Sequence, residues 1–519
     1  MADNNRTFRT GYWLIPVLWL ATWLTARHLN ADFIWNDEWF QYVDFGVGPF
    51  DPVSLPTALI NTAVDNGWPP VYGFVTMAWD WFTGGHLYLD RTVSLFFGLL
   101  AIAVTYQLGR KASSATVGLM SATLLGTSAF FIHHLHEFRP YPAYILAVAL
   151  SGWFYLLVRE DRYYQRRWVR WGFFGSLVLA FYTQHIAVAS FAGIGIYHLL
   201  HERQNKNWAG ILRLGVNAAI VGALWMAMIV IALQLEVAFE RNAPLDELIF
   251  GFTQAYTNGL WFFVLIFIAS LLRWRMTAVR FLWMWLLITF LFAFAVNSFA
   301  DFLSHPRHMM GVLPIVFTLI AIGLVDVIQV RPIAWLLLGL WVGVGFVHSL
   351  TQDFVNTIPG QVPTAPLVFM ETVLDTADTC ITADDSVFFA LDAPDEEWEN
   401  DIPLLFYLED YDFRYLAMSY ALHDIPVPSL VLETKGVGEL NDAQAIDRFN
   451  YMIDDASMVW VFAVTNRPLH HDILRLNSML NDAGYQACPT IIQAEDTIGI
   501  GYSNNNNSQC ERSLACGGQ

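Results

Sequence analysis

The sequence predicts an α-helical polytopic membrane domain followed by a soluble α/β domain, and three observations carry that expectation. Of 519 residues, 55% are hydrophobic and 14% are charged, against roughly 25% charged in a soluble domain. Tracts such as 281–299 and 309–325 hold no charged residue over about the ~20 residues a helix needs to cross a bilayer. The charge is also divided along the chain. Residues 1–350 carry 21 basic and 19 acidic side chains, net +2, while residues 351–519 carry 6 and 27, net −21. All the apolar tracts lie in the first part, so residues 1–350 read as the membrane domain and 351–519 as an acidic soluble domain.

Positive charge sets the orientation of membrane segments. Sixteen Lys and Arg residues cluster at tract ends: Arg6 and Arg9, Arg110 and Lys111, five between Arg159 and Arg170, Arg203 with Lys206 and Arg213, Arg273 with Arg275 and Arg280, and Arg331. Putting them all on the cytoplasmic side yields eleven crossings, near 11–29, 88–109, 113–132, 141–158, 171–184, 186–201, 214–235, 259–272, 281–298, 309–328 and 333–350. The short pair 171–184 and 186–201 can also be read as containing a re-entrant turn. Residues 69–82 are apolar, but a crossing there would move Arg110 and Lys111 outside; they read as an interfacial amphipathic helix, with a second near 52–64. The first tract is too long for a cleaved signal peptide and lacks a small-residue cleavage site. The expected protein is thus multi-pass in the plasma (inner) membrane, with a cytoplasmic amino terminus and an extracytoplasmic acidic domain.

The four cysteines, Cys380, Cys488, Cys510 and Cys516, all fall in that domain, an even number suited to an oxidising compartment, with three pairings open. Residues 457–464 and 491–502 have strand character, and 468–483 has helical spacing. Phosphates would be repelled by so acidic a domain, which argues against nucleic acid as a partner.

Chemistry-bearing residues gather in the expected external segments. Asp37 and Glu38 lie between Trp35 and Trp39 just after the first crossing, and a carboxylate there can act as general base or hold a cation; the bland alternative is a solvated acid pair. His133, His134, His136, Glu137, Arg139 and Tyr141 lie between the third and fourth crossings. Arg139 suits a phosphate by paired hydrogen bonds. His133, His136 and Glu137 suit a metal only weakly, since their spacing matches no strong zinc pattern. His305, Arg307 and His308 precede the tenth crossing, where an external arginine asks for an anionic partner or snorkels to headgroups. Arg91 reads as an ion-pair partner of Asp90.

The order of these motifs resembles the membrane glycosyltransferases of the family 39 type, with the GT-C fold, a group that includes protein O-mannosyltransferases and lipid A aminoarabinose transferases. The resemblance runs through Asn36-Asp37-Glu38, Trp68-Pro69-Pro70-Val71-Tyr72, Arg91-Thr92-Val93-Ser94, Tyr106-Gln107-Leu108-Gly109-Arg110, His136-Glu137-Phe138-Arg139-Pro140-Tyr141, Tyr182-Thr183-Gln184-His185 and Pro306-Arg307-His308 followed by Pro314. It implies transfer of a monosaccharide, with inversion, from a polyprenyl-phosphate-linked sugar to a glycan, lipid or protein acceptor outside the cytoplasm. Asp37 is then the implied base, with Glu38 assisting. Arg139, Arg307 and His308 hold the donor phosphate, and Glu137, Tyr141, His136, Arg91 and His185 are substrate-binding candidates. No cofactor and no metal are required by this scheme, and a divalent cation is compatible with it. The chain departs from the family in having Trp68 before the Pro-Pro pair, Gln184 beside His185, and its nearby acid, Glu137, before Arg139 instead of after it. The alternative from another class is a transporter or flippase of lipid-linked or polar substrates, which calls for ionisable residues buried in mid-span.

Overall fold

A computed structural model describes residues 11–29, 36–48, 52–64, 69–233, 245–300, 305–351 and 353–358, and in the carboxyl-terminal part 386–390, 453, 458–464, 478, 480–494, 497–504 and 510. The chain divides into two compact units, one of residues 1–31 and 41–363, the other of 32–40 and 364–519.

Every one of the eleven expected crossings falls on helix in the first unit. Among the described residues, six helices are long and apolar enough to span a membrane: Thr92–Ala112, Tyr141–Val158, Trp208–Trp225, Thr277–Ser298, Pro306–Val327 and Arg331–Thr351. Leu14–Ala26, Ala115–Gly126, Ala187–His201 and Phe263–Arg273 are shorter apolar helices, and Arg167–Phe181 is the remaining one. The pair read as short crossings or a re-entrant turn forms two separate helices, Arg167–Phe181 and Ala187–His201.

Burial separates the centre of the bundle from its rim. In Tyr141–Val158 and Pro306–Val327, 89% and 83% of the span is buried inside the protein, against 22% in Trp208–Trp225 and 28% in Arg331–Thr351. A helix apolar all round is either covered by neighbours or faces lipid, and these two pairs take the two options. Tyr141–Val158 packs against Thr92–Ala112 and Arg167–Phe181, and Leu313–Ile322 packs against Ala115–Gly126.

Outside the spans, Leu55–Val64 and Val71–Thr83 are helices, as the amphipathic reading expects. Tyr72, Gly73 and Thr76 face inward while Trp81 and Phe82 are exposed. The expected Asp90–Arg91 ion pair does not form. Adjacent residues in a tight turn point apart, so the Thr83 hydroxyl donates to Asp90 and Arg91 Nη1 donates to the Leu29 carbonyl at 2.9 Å.

The second unit contains a four-stranded sheet in the order β1-β2-β4-β3: β1 Ser386–Ala390, β2 Met458–Val464, β3 Gln486–Ala494 and β4 Thr497–Ser503. β1 runs parallel to β2, and β4 is antiparallel to both β2 and β3. The segment 491–502, expected as one strand, is divided between two: residues 491–494 lie in β3 and 497–502 in β4, which run antiparallel with Ala494 opposite Thr497. Of the expected helix 468–483, residues 478 and 480–482 are helical and 483 is in a turn; the rest lies outside the described residues. Cys488 and Cys510 form a disulfide, and Cys380 and Cys516 lie outside the described residues.

Candidate functional site

The site is built on a tight turn between two helices. The helix Ala129–His133 opens with Ser128, whose hydroxyl caps the Phe131 amide, and it is pinned by Asn258. That asparagine, held at φ 52, accepts from the Ala129 amide at 3.0 Å and donates to the Thr127 carbonyl at 3.2 Å. Left-handed backbone is tolerated by asparagine better than by most residues, so the side chain can stitch two loops together from a buried position. The chain then turns, with the Leu135 amide bonded to the Ile132 carbonyl and His136 to His133. Pro140 ends the turn and starts Tyr141–Val158.

Two close approaches hold this turn against its surroundings. A Cβ at Gly98, on Thr92–Ala112, would lie 2.2 Å from Leu135, and one at Gly311 would lie 2.3 Å from the Tyr144 ring. The second brings Pro306–Val312, which carries Arg307, onto the helix that begins at Tyr141. Phe138 stacks on Tyr42 with centroids 4.3 Å apart. The Tyr72 and Ser94 hydroxyls are 2.6 Å apart, and Ser94 donates to the Arg139 carbonyl at 3.2 Å.

Within the turn, Glu137 lies between two imidazoles. His134 Nδ1 is 2.6 Å from Oε2, and His133 Nε2 is 3.2 Å from Oε1. Burial drives the His134 imidazole down to about 4 from its ordinary 6.5, further aided by the charges of His133 and Arg307 and opposed by Glu137. Burial alone would raise Glu137, but the two histidines outweigh it and hold this carboxyl well below its usual range. At neutral pH the pair is therefore a neutral His134 donating Nδ1–H to an ionised Glu137. The influence of Arg307 on His134 also brings together two sequence clusters about 170 residues apart in the chain.

The remaining candidates fall as follows. Arg139 is 1% exposed, with its guanidinium 5.8 Å from the Tyr141 ring centroid, and Arg307 is 4% exposed. His308 is half-buried and its ring is 5.6 Å from His305. His136 is buried beside His133 and His28, at 5.0 and 5.7 Å. His185 is half-buried in the turn between Arg167–Phe181 and Ala187–His201, its amide bonded to the Gln184 side chain. Asp37 lies on the helix Asn36–Phe45, where its side chain falls outside the described residues, as does Trp68; Glu38 is fully buried.

The weak metal set expected from sequence changes its membership. His133, His134 and Glu137 place one ligand atom each within 4.8 Å of one another, while His136 faces His28. Among the described residues, these three are able to hold a cation here, and the same contacts also form a hydrogen-bonded triad without one. The sequence reading passed over His134 as a ligand and over its pairing. The signal available was the spacing, with His133 and His134 four and three residues before Glu137, the distances that meet across one helical turn.

No family model matches the chain, and no curated protein matches it. Among solved structures, ArnT from Cupriavidus metallidurans in the apo state is similar at 13% identity and a TM-score of 0.54, over 96% of this chain and 98% of that one. The same ArnT bound to undecaprenyl phosphate is similar at 13% identity and a TM-score of 0.55, over 94% and 98%. The archaeal oligosaccharyltransferase AglB from Archaeoglobus fulgidus, in complex with an inhibitory peptide and a dolichol-phosphate, aligns at 11% identity and a TM-score of 0.46, over 95% and 74%. The chain has the GT-C fold. At these identities the likeness to ArnT is one of fold.

Proposed function

We propose that the protein transfers a monosaccharide from a polyprenyl-phosphate donor to an extracytoplasmic acceptor, with inversion at the anomeric carbon. The observation that carries this reading is the buried pair Arg139 and Arg307 beside the His134–Glu137 couple at one end of the bundle. A guanidinium binds phosphate oxygens by paired hydrogen bonds, so two of them at one end of the bundle suit a phosphate-linked donor. The fold match to a protein solved with undecaprenyl phosphate supports the same donor class.

In this scheme Asp37 takes the proton of an acceptor hydroxyl, with Glu38 orienting it, as that oxygen attacks the anomeric carbon from the face opposite the phosphate. The bond from that carbon to the phosphate oxygen breaks, and its electron pair leaves on the phosphate. Arg139, Arg307 and His308 stabilise the charge as it grows. Glu137, engaged by His133 and His134, keeps the turn that carries Arg139 in shape. His136, Tyr141, Arg91 and His185 are assigned to substrate contact. The triad His133, His134 and Glu137 would hold a cation if one binds, supplying Lewis acidity beside the donor phosphate.

A transporter would draw support from charge pairs in mid-span. Among the described residues, the ion pairs sit at helix ends, which favours the transferase. The test is purified full-length protein in nanodiscs, given a panel of radiolabelled polyprenyl-phosphate sugars with membrane extract as acceptor. Label transfer by wild type, abolished in Asp37→Asn and Arg307→Ala with folding intact, is the expected result. Consumption of no donor, or equal transfer by Asp37→Asn, sinks the proposal.

A further inference from the structure

At the opposite end of the bundle a cavity of about 480 Å³ opens between the start of Ala115–Gly126, the wide turn Gly323–Val327 and the start of Arg331–Thr351. Thr116, Gln329 and Arg331 supply its polar atoms, and Met120, Leu324 and Trp335 form apolar walls. The neighbouring cations are engaged elsewhere: Lys111 with Glu160, and Arg273 with the Asp326 carbonyl. Asp326, the nearest acid in sequence, accepts from the Ser113 hydroxyl at 2.6 Å. Arg331 has no carboxylate partner among the described residues. Immediately beside the cavity the surface is apolar and bare, with Val330, Ile333, Trp335 and Leu336 between 47% and 72% exposed.

We propose that this cavity binds the phosphate headgroup of an anionic membrane phospholipid, whose acyl chain lies along Trp335 and Leu336. Charge complementarity selects the headgroup: an exposed guanidinium flanked by a hydroxyl and an amide is a phosphate-binding set. The continuous apolar surface selects a lipid over a soluble phosphate, and a tryptophan at a helix end is placed as interfacial anchors are. The site lies apart from Arg139 and Arg307, at the far ends of the helices that carry them, so it does not rest on the proposed transfer reaction.

The test uses the full chain in detergent micelles holding equal phosphatidylglycerol and phosphatidylcholine, with retained lipid counted by native mass spectrometry. Wild type is expected to favour the anionic lipid by about fivefold, the scale of one interfacial arginine. Arg331→Gln, which removes the charge, and Ala334→Phe, which fills the cavity, are both expected to bring retention to parity. Arg167→Gln, an exposed arginine on another helix, is expected to leave the preference in place. The proposal is overturned if Arg331→Gln keeps the preference or if Arg167→Gln loses as much. Displacement of the lipid by excess soluble glycerol phosphate would likewise overturn it, in favour of a free-phosphate site.

Discussion

The two ends of Tyr141–Val158 treat charge in opposite ways. At the Val158 end, Arg159 meets Glu202 at 2.5 Å, Lys111 meets Glu160, and Lys206 meets Asp161 at 3.1 Å. These pairs tie the loop after Val158 to the end of Thr92–Ala112 and to the loop after His201. At the Tyr141 end, Glu137 is taken by two imidazoles, and Arg139 and Arg307 stand buried beside them. One end ties loops together with exposed and half-buried ion pairs; the other gathers imidazoles and guanidiniums around a buried carboxylate.

That contrast breaks most sharply under substitution of arginine at each end. Arg307→Ala or Arg139→Ala is expected to lower donor turnover by about 10²–10³-fold, the scale of losing one transition-state charge contact, with a small shift in thermal midpoint; steady-state transfer and a melting curve check both. Arg159→Ala reverses the pattern. It leaves Glu202, which is 6% exposed, as an uncompensated buried charge, expected to cost about 3 kcal/mol of stability while turnover per folded molecule holds. A large turnover loss in Arg159→Ala with stability intact would erase the distinction between the ends.

A smaller effect sharpens the comparison through pH. His134 sits at about 4 against an ordinary 6.5, so as pH falls from 6.5 towards 4 the unfolded chain binds a proton that the folded one refuses, and stability is lost across that window. Asp90 has the opposite sign. Burial raises its carboxyl from 3.8 to about 7, the Thr83 hydroxyl opposing and the Asp80 charge adding. The stability it contributes is present below 3.8 and lost as pH rises to about 7. Asp90→Asn is therefore expected to melt higher than wild type at pH 8 and level with it near pH 4, and His134→Gln to flatten the acid limb between 6.5 and 4; unchanged melting profiles in both variants would remove these groups from the pH response. The smallest expected effect is Lys206→Ala, whose exposed pair with Asp161 is screened by solvent, so its melting midpoint is expected to match wild type within the scatter of the measurement.

Much of the bundle was legible in the chain because apolar length and the placement of arginines are local quantities. The helix Tyr141–Val158 matches the expected crossing at both ends, since Pro140 starts it and Arg159 stops the apolar run. Legibility failed where a partner comes from elsewhere. Asp90 was matched with its neighbour Arg91 in sequence, yet it binds Thr83. His136 was grouped with His133 and Glu137 as a weak metal set, and in the structure it is His134 that pairs with Glu137. The segment 491–502 was read as one strand because its residue pattern does not mark the boundary between β3 and β4.

The sequence by itself determined that the chain crosses a membrane many times, where each helix runs, and which residue types stand at its surface, because burying apolar surface and excluding charge from lipid depend on composition over a single helix. Only the tertiary structure decided that the turn 133–141 and the segment 305–312 come together, and that Glu137 faces two histidines. Those facts depend on the close approach at Gly311 and on the Asn258 bridge, where side chains distant in sequence meet through packing.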